Sequence, residues 1–384
     1  MKHYHYIFTG SGLSALMTVY ELACQGFLND KSVLLVDSNL KKENDRTWCY
    51  WGKTSSKFDG IVFKQWEQAL FANDEFKRVL DLNPYKYNMI RGLDFYTFIF
   101  NFLETFPNIE FLNQKVIDFS DLDQHGIVKT ETETFTCNKI FNSIYNPSLA
   151  LSQNKYPVLQ QHFVGWFIKT EEAFFNADQP TFMDFSVKQK GNTRFMYVLP
   201  TSEREALIEY TLFSKDLLPT AEYESEIEKY ISNLGISEFQ IIEKERGSIP
   251  MTSYPFWKHN TKNIINIGSA GGWTKASTGY TFKSTMKKSK SLAAFVQKES
   301  DFRKFHKPTR FWFYDLLLLD ILARSNHRGS EIFSSMFKSS SPTLIFKFLD
   351  EETTLLEDLK VILSCPKRLF LAALLRRAFP AIKP

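Results

Sequence analysis

The chain is short of cysteine. Its 384 residues include four, Cys24, Cys49, Cys137 and Cys365, widely spaced and without a C-x-x-C pair. That spacing excludes a zinc ribbon and offers no disulfide framework, so no metal and a reducing compartment are expected. Charge of one sign is scarce too: the net value of +4 is scattered, which argues against nucleic acid as a partner. No apolar run of about 18 residues is present to span a bilayer. A β-rich run begins within a few residues of Met1, leaving no room for a signal peptide. These absences predict a cytoplasmic protein, with the inner membrane face as a surface it can rest against. Internal repeats and low-complexity stretches are missing as well.

Aromatic residues, by contrast, abound: 37 Phe, 16 Tyr and 7 Trp. Such content suits an apolar pocket and equally a compositional bias. The length predicts two domains or one elaborate α/β domain. "YHYIFT", "GSGLSA" and "LSALMTVYELACQGF" read as strand, glycine turn and helix, and "SVLLVD" as a strand buried in a parallel sheet. Residues 86–104 read as a helix carrying Tyr87 and Arg91, and 110–145 as short strands. Between 157 and 214 the runs "FMDFSVKQ", "TRFMYVLP" and "EALIEYTLF" read as an antiparallel meander. A helix capped by Thr220 and stopped by Gly235 follows, and beyond Lys290 the chain reads as mostly helical.

Gly10, Gly12 and Ala15 form G-x-G-x-x-A, and Asp37 ends the second strand where an acid takes ribose hydroxyls. Between two strands, that set predicts a dinucleotide on the helix N-terminus. "DRTWCYW" (45–51) interrupts the parallel repeat a nicotinamide enzyme would continue, which favours FAD. Arg46 is a candidate for a cofactor phosphate or an exposed surface residue, and Arg91 for a phosphate or ribose contact or a salt bridge. Late in the chain, "GSAGGWTKASTGYTF" (268–282) lacks the Gly-Lys-Ser/Thr of a P-loop. It reads as a second strand-to-helix turn whose Gly268, Gly271 and Gly272 let backbone approach the cofactor.

"GSGLSA" with Asp37, "DRTWCYW", "QHFVGW", "FMDF", "RFMYVLP", "LIEYT", "ERGSIPM", "KASTGY" and "FKFLDEET" occur in the order found in bacterial FAD-dependent lycopene β-cyclases, and the chain resembles that family over nearly its whole length. Ser269 stands where most hydroxylases and reductases of similar fold have an Asp, which favours the cyclase branch. The resemblance implies protonation of the terminal double bond of lycopene or a related acyclic carotene. The cation then closes to a β-ionone ring, giving γ-carotene or β-carotene with no net electron transfer. It also implies reduced FAD, and hence NADPH or another reductant indirectly.

Protonating an alkene needs a neutral acid in a dry site, and burial raises a carboxyl pKa enough to supply one. Glu209 shares a strand face with Leu207, Thr211 and Phe213, and matches the essential Glu of the family's motif; the bland alternative is an edge-strand Glu in solvent. Asp184, between Met183 and Phe185, is the second candidate, as orienter or proton relay, against a strand-end Asp. His162 and Trp166 suit a pocket wall or core. Asp350, Glu351 and Glu352 read as acids opening a helix rather than catalysts. "RLFLAALLRRAF", with Arg368, Arg376 and Arg377, reads as an interfacial helix or one docked on the core.

The expected fold is α/β: a Rossmann-like FAD-binding domain of the glutathione-reductase/hydroxylase type (1–55, 86–150 and 243–299), an inserted antiparallel β substrate domain (156–242) and a helical C-terminal region (300–384). The rival readings are an FAD/NAD(P)H-dependent monooxygenase, an isoprenoid reductase, and a non-catalytic isoprenoid carrier.

Overall fold

The structure, a computed structural model describing residues 1–378, buries Val33 through Val36 completely, as a strand covered on both faces requires. Val33–Asp37 lies parallel between His3–Thr9 and Ile109–Asn113, and His3–Thr9 pairs in turn with Thr134–Asn142. The far edge of Thr134–Asn142 is divided. Its first half takes the antiparallel Gly126–Thr130, which carries Val116–Asp121, and its second half takes the parallel Ile264–Asn266. The helices Leu13–Cys24 and Phe282–Val296 share one apolar core, and a Thr18–Ser289 hydroxyl pair at 3.0 Å joins them. The late strand and helix thus pack onto the N-terminal strands and helix.

A second sheet runs in the order Gln240–Met251, Leu159–Lys169, Glu205–Ser214, Thr193–Pro200, Thr181–Asp184, Gln68–Ala72 and Lys77–Asp81. Its central strands are the expected meander. Gln240–Met251 crosses the expected division at 242 and pairs with Leu159–Lys169 along its length, and the last two strands come from a stretch that carried no expectation. Alternation along Glu205–Ser214 sorts its side chains. Ala206, Ile208, Tyr210 and Leu212 meet the helix Thr220–Asn233, whereas Leu207 and Phe213 belong to the core shared with the C-terminal helices.

Residues 86–104 are corrected in part: Lys86–Arg91 is a strand between Thr47–Gly52 and Lys64–Trp66, and the helix is Gly92–Leu103. An apolar run of that length fits either period, and pairing with Thr47–Gly52 decides it. The C-terminal region is helical through Arg310–Ser325, Gly329–Ser339, Pro342–Leu349, Leu355–Ser364 and Lys367–Ala378. The expected region 300–384 and the segment "RLFLAALLRRAF" extend past this, and residues 379–384, Phe379 included, lie outside the described residues. Arg376 and Arg377 do not face outward: both bind the buried Asp320, at 2.6 and 2.7 Å. No helix among the described residues is long and apolar enough to cross a membrane.

Candidate active site

A cavity of about 1010 Å³ extends from the glycine turn at Gly12 past Glu209 to Leu359 and Leu371 on the last two helices. At its first end Gly10 has φ +88°, and a Cβ there would lie 2.4 Å from the Ser143 hydroxyl oxygen. Gly12 is different: nothing lies within 4 Å of the place its Cβ would take, because that space belongs to the cavity. The helix Leu13–Cys24 starts there with no capping side chain and no acid in its first turn. Its N–H groups and dipole are therefore free to meet an anion, and a dinucleotide pyrophosphate fits. Ala15 is fully buried in the helix packing. Asp37 accepts hydrogen bonds from the Ser11 backbone N–H (2.7 Å) and hydroxyl (3.0 Å), which pins the turn to the strand end. Arg46 is exposed on the cavity rim, with its nearest carboxylate, Asp45, at 3.9 Å. The late turn meets the early one directly. Gly268, at φ +60°, passes so close that a Cβ would lie 2.3 Å from the Ser14 hydroxyl oxygen, and Gly268 and Ser269 both line the cavity.

Deeper in, Glu209 projects from the cavity face of the second sheet and is 7% exposed. Across the strands it pairs with Tyr197 on one side and Gly165 on the other. Burial first, then the charge of Glu245, pushes its carboxyl up to about 8, while a hydrogen bond donated by the Thr211 hydroxyl works the other way. Around it stand Trp51, Tyr197 and Tyr280. The hydroxyl of the buried Tyr87 lies 2.5 Å from that of Tyr197 and 3.0 Å from that of Tyr280, both half-buried, so the three phenols satisfy one another. Cys49 sits against them, its thiol pushed up to about 12 by burial. The wall here is rich in aromatic rings. A neutral acid in such a site can protonate a very weak base, and the rings can stabilise the cation that results.

The family model described as lycopene cyclase protein matches residues 6–375. The chain belongs to that family. A lycopene beta-cyclase of Paracoccus sp. is 29% identical over 131 residues, a stretch covering 32% of this chain and 32% of that protein. Among solved structures, a geranylgeranyl bacteriochlorophyll reductase-like protein from Thermoplasma acidophilum superposes with TM-score 0.64 at 11% identity, over 99% of this chain and 97% of its own. A flavoprotein/dehydrogenase from Cytophaga hutchinsonii gives 0.63 at 12%, over 97% and 99%. At these identities the likeness establishes the fold, a Rossmann-like flavoprotein fold with a helical C-terminal region.

Within this member of the family the expected residues divide. Gly10, Gly12, Ala15, Asp37 and Gly268 gather at the two turns, with Arg46 at the rim. Gly271 and Gly272 stand behind them: a Cβ on Gly271 would meet the Asn266 carbonyl at 2.1 Å, and Gly272, at φ +67°, backs onto Phe256. Turn packing, rather than approach to the cavity, explains these two glycines. Arg91 is likewise a salt bridge. Its Nη2 lies 2.7 and 2.6 Å from the two Glu243 carboxylate oxygens, and its guanidinium stacks on Phe167 at 4.0 Å.

Asp184 is not brought to Glu209. It pairs with Met196 in register, which turns it to the helix-covered face, where the Tyr230 hydroxyl (2.9 Å) and the Ser186 backbone N–H (2.9 Å) donate to it. His162 and Trp166 share that face, His162 held between Tyr223 and Ser214 at 2.6 Å each. Asp350, Glu351 and Glu352 do not serve a helix dipole; they pair with Lys283, Lys275 and Lys287. Thr354 and Glu357 cap the following helix instead. Two features escaped the sequence reading. The tyrosine cluster draws on two strands, 110 residues apart at Tyr87 and Tyr197, and on the late loop that carries Tyr280, and Glu245 lies in a charge-rich edge strand whose pattern reads as solvent-facing.

Proposed function

We propose that the protein is a lycopene β-cyclase, closing the linear ψ-ends of lycopene, or of a related acyclic carotene, to β-ionone rings by proton transfer without net redox change. Glu209 carries this reading: a carboxyl kept neutral in an aromatic cavity that continues to the glycine turns. Its proton stays on up to about pH 8, and the Thr211 hydroxyl bonded to one oxygen fixes the carboxyl plane. Protonation at the less substituted carbon of the terminal double bond leaves a tertiary cation that the internal double bond attacks, and loss of a proton sets the ring double bond. Trp51, Tyr197 and Tyr280 exclude water and offer ring faces to the cation, each contact contributing on the order of 0.5–2 kcal/mol.

FAD is the cofactor this reading requires. Gly10, Gly12 and the N-terminus of Leu13–Cys24 would hold its pyrophosphate, with Ala15 closing the turn, Asp37 toward the ribose, Arg46 toward a phosphate and Gly268 on the late turn. Bound and reduced, it supplies an electron-rich surface that favours nearby positive charge. NADPH or another reductant serves to maintain that state. Family membership and the flavoprotein fold support the assignment.

The substrate end of the cavity opens between Leu355–Ser364 and Lys367–Ala378, where Leu359, Leu363 and Leu371 are each more than half exposed. We take this mouth, with Lys367 and Arg368 beside it, as the surface that rests on the inner membrane face and admits a lipid-dissolved polyene. Expression in a lycopene-accumulating bacterium, followed by chromatography and mass spectrometry of the pigments, tests the activity. Ring formation leaves the mass unchanged. A monooxygenase adds oxygen, and an isoprenoid reductase, the reading that the Thermoplasma acidophilum neighbour's name favours, adds hydrogen.

A further inference from the structure

Glu209 has a second carboxyl beside it. Gly165, in the middle of Leu159–Lys169, pairs with Glu209 on one neighbouring strand and Glu245 on the other. All three therefore lie on the cavity face of the sheet, and both acids line the cavity. The missing side chain matters: a Cβ on Gly165 would sit 2.8 Å from Leu207 Cδ1, 3.3 Å from Glu245 Cγ and 3.4 Å from Glu209 Cβ. Glycine thus leaves room for the Leu207 methyl and lets both acids stand on its two sides. Glu245 is 8% exposed, and its Oε2 accepts a hydrogen bond from the Thr47 hydroxyl at 2.8 Å.

The environments of the two acids differ in a directed way. Burial raises both, Glu209 to about 8 and Glu245 to about 7. Glu209 faces the charge of Glu245 and has no cation among the groups acting on it. Glu245 has the Thr47 bond and the positive charges of Arg91 and Arg46 favouring its ionised form, against Glu243, itself engaged by Arg91. The thiol of Cys49 also faces both acids and stays protonated. One proton on the pair therefore resides on Glu209, which separates an acid from a base within one site.

Resting on the cyclase reading above, we propose that Glu245 is the base of the reaction, a catalytic residue that takes the proton leaving the closed ring. The O–H bond of Glu209 breaks and a C–H bond forms at the less substituted carbon of the terminal double bond, leaving a tertiary cation on the other. The ring carbon–carbon bond forms from the internal double bond. A C–H bond next to the cation then breaks, its electron pair becomes the ring double bond, and its proton goes to the Glu245 carboxylate. Once the product leaves, Glu245 gives that proton to solvent and Glu209 takes one from solvent, which restores the starting pair. Substrate and product have the same composition, and no oxidant or reductant is consumed.

The test is ring formation by the flavin-loaded enzyme and its Glu245→Gln variant across pH 5–9. Wild type should give a bell-shaped kcat profile. Glu245→Gln should keep its flavin absorbance and KM, lose about 100-fold or more in kcat and lose the acidic limb, with Glu245→Asp recovering part of both. Thr47→Val, which only removes the bond holding Glu245 ionised, should move the acidic limb to higher pH. This second variant keeps the idea testable where the glutamine variant fails to fold. Wild-type kcat and an unchanged acidic limb in Glu245→Gln, or an unmoved limb in Thr47→Val, overturns the assignment. An inactive wild type instead overturns the cyclase reading itself.

Discussion

Replacing Glu209 with Gln should make the protein inactive and, above neutral pH, more stable. The amide keeps the size of the side chain and its acceptor for the Thr211 hydroxyl but carries no titratable proton. In the wild type the folded-state carboxyl is raised from an ordinary 4.5 to about 8, so the folded state holds the proton more tightly than the unfolded chain does. The sign follows: the stabilisation is fully present below about 4.5 and is lost progressively as pH rises to about 8. At about 1.4 kcal/mol per pH unit the upper limit is about 5 kcal/mol, and relaxation with water penetration reduces this to roughly 2–3 kcal/mol. The Gln variant lacks this contribution and keeps only the smaller slope from Glu245. Its urea midpoint should therefore lie close to that of the wild type at pH 5 and climb above it between pH 6 and 8, while ring formation falls 10²–10⁴-fold with flavin retained. A midpoint difference that stays constant from pH 5 to pH 8 would refute the picture of a buried, protonated Glu209, whatever happened to activity.

Three further outcomes test other parts of the site. Gly12→Val places a side chain in cavity space that no protein atom contests, so the variant should fold with unchanged thermal stability as apoprotein yet purify colourless; normal flavin content would remove Gly12 from the cofactor site. Asp184→Asn weakens bonds from Tyr230 and Ser186 on the opposite sheet face and should cost about 1 kcal/mol of stability while ring formation stays within about threefold; a larger loss of turnover would return Asp184 to the chemistry. Leu371→Asp with Leu374→Asp should abolish co-sedimentation with anionic phospholipid vesicles and raise KM for vesicle-dissolved lycopene, leaving flavin binding intact; full retention on vesicles would contradict the membrane-facing mouth.

Local rules made the glycine-turn end of the cavity legible. A glycine turn between two apolar strands carries its own geometry, so Gly10, Gly12, Ala15 and Asp37 can be read without knowing anything distant. Glu209 was legible for a similar reason, since alternation along a single strand puts it with Leu207 and Phe213. What failed depended on pairing. Asp184 looks equivalent to Glu209 within its own strand, and only its register against Met196 turns it to the other face. Arg91 is claimed by Glu243, 152 residues away, and no local pattern announces such a partner. Lys86–Arg91 is short and apolar enough to suit either period, so its state waited on a neighbouring strand. Glu245 is the instructive case: "EKERGS" reads as a solvated edge, but the cavity side of that edge is roofed by other elements, and its acid ends up buried beside Glu209.

The most direct measurement is the mass of the carotene formed from lycopene by purified, reduced, FAD-loaded protein in D2O. The account predicts one deuterium per ring closed, delivered by the exchanged Glu209 carboxyl, and no other change in mass. Added oxygen, an added hydrogen pair, or rings formed without deuterium would contradict it.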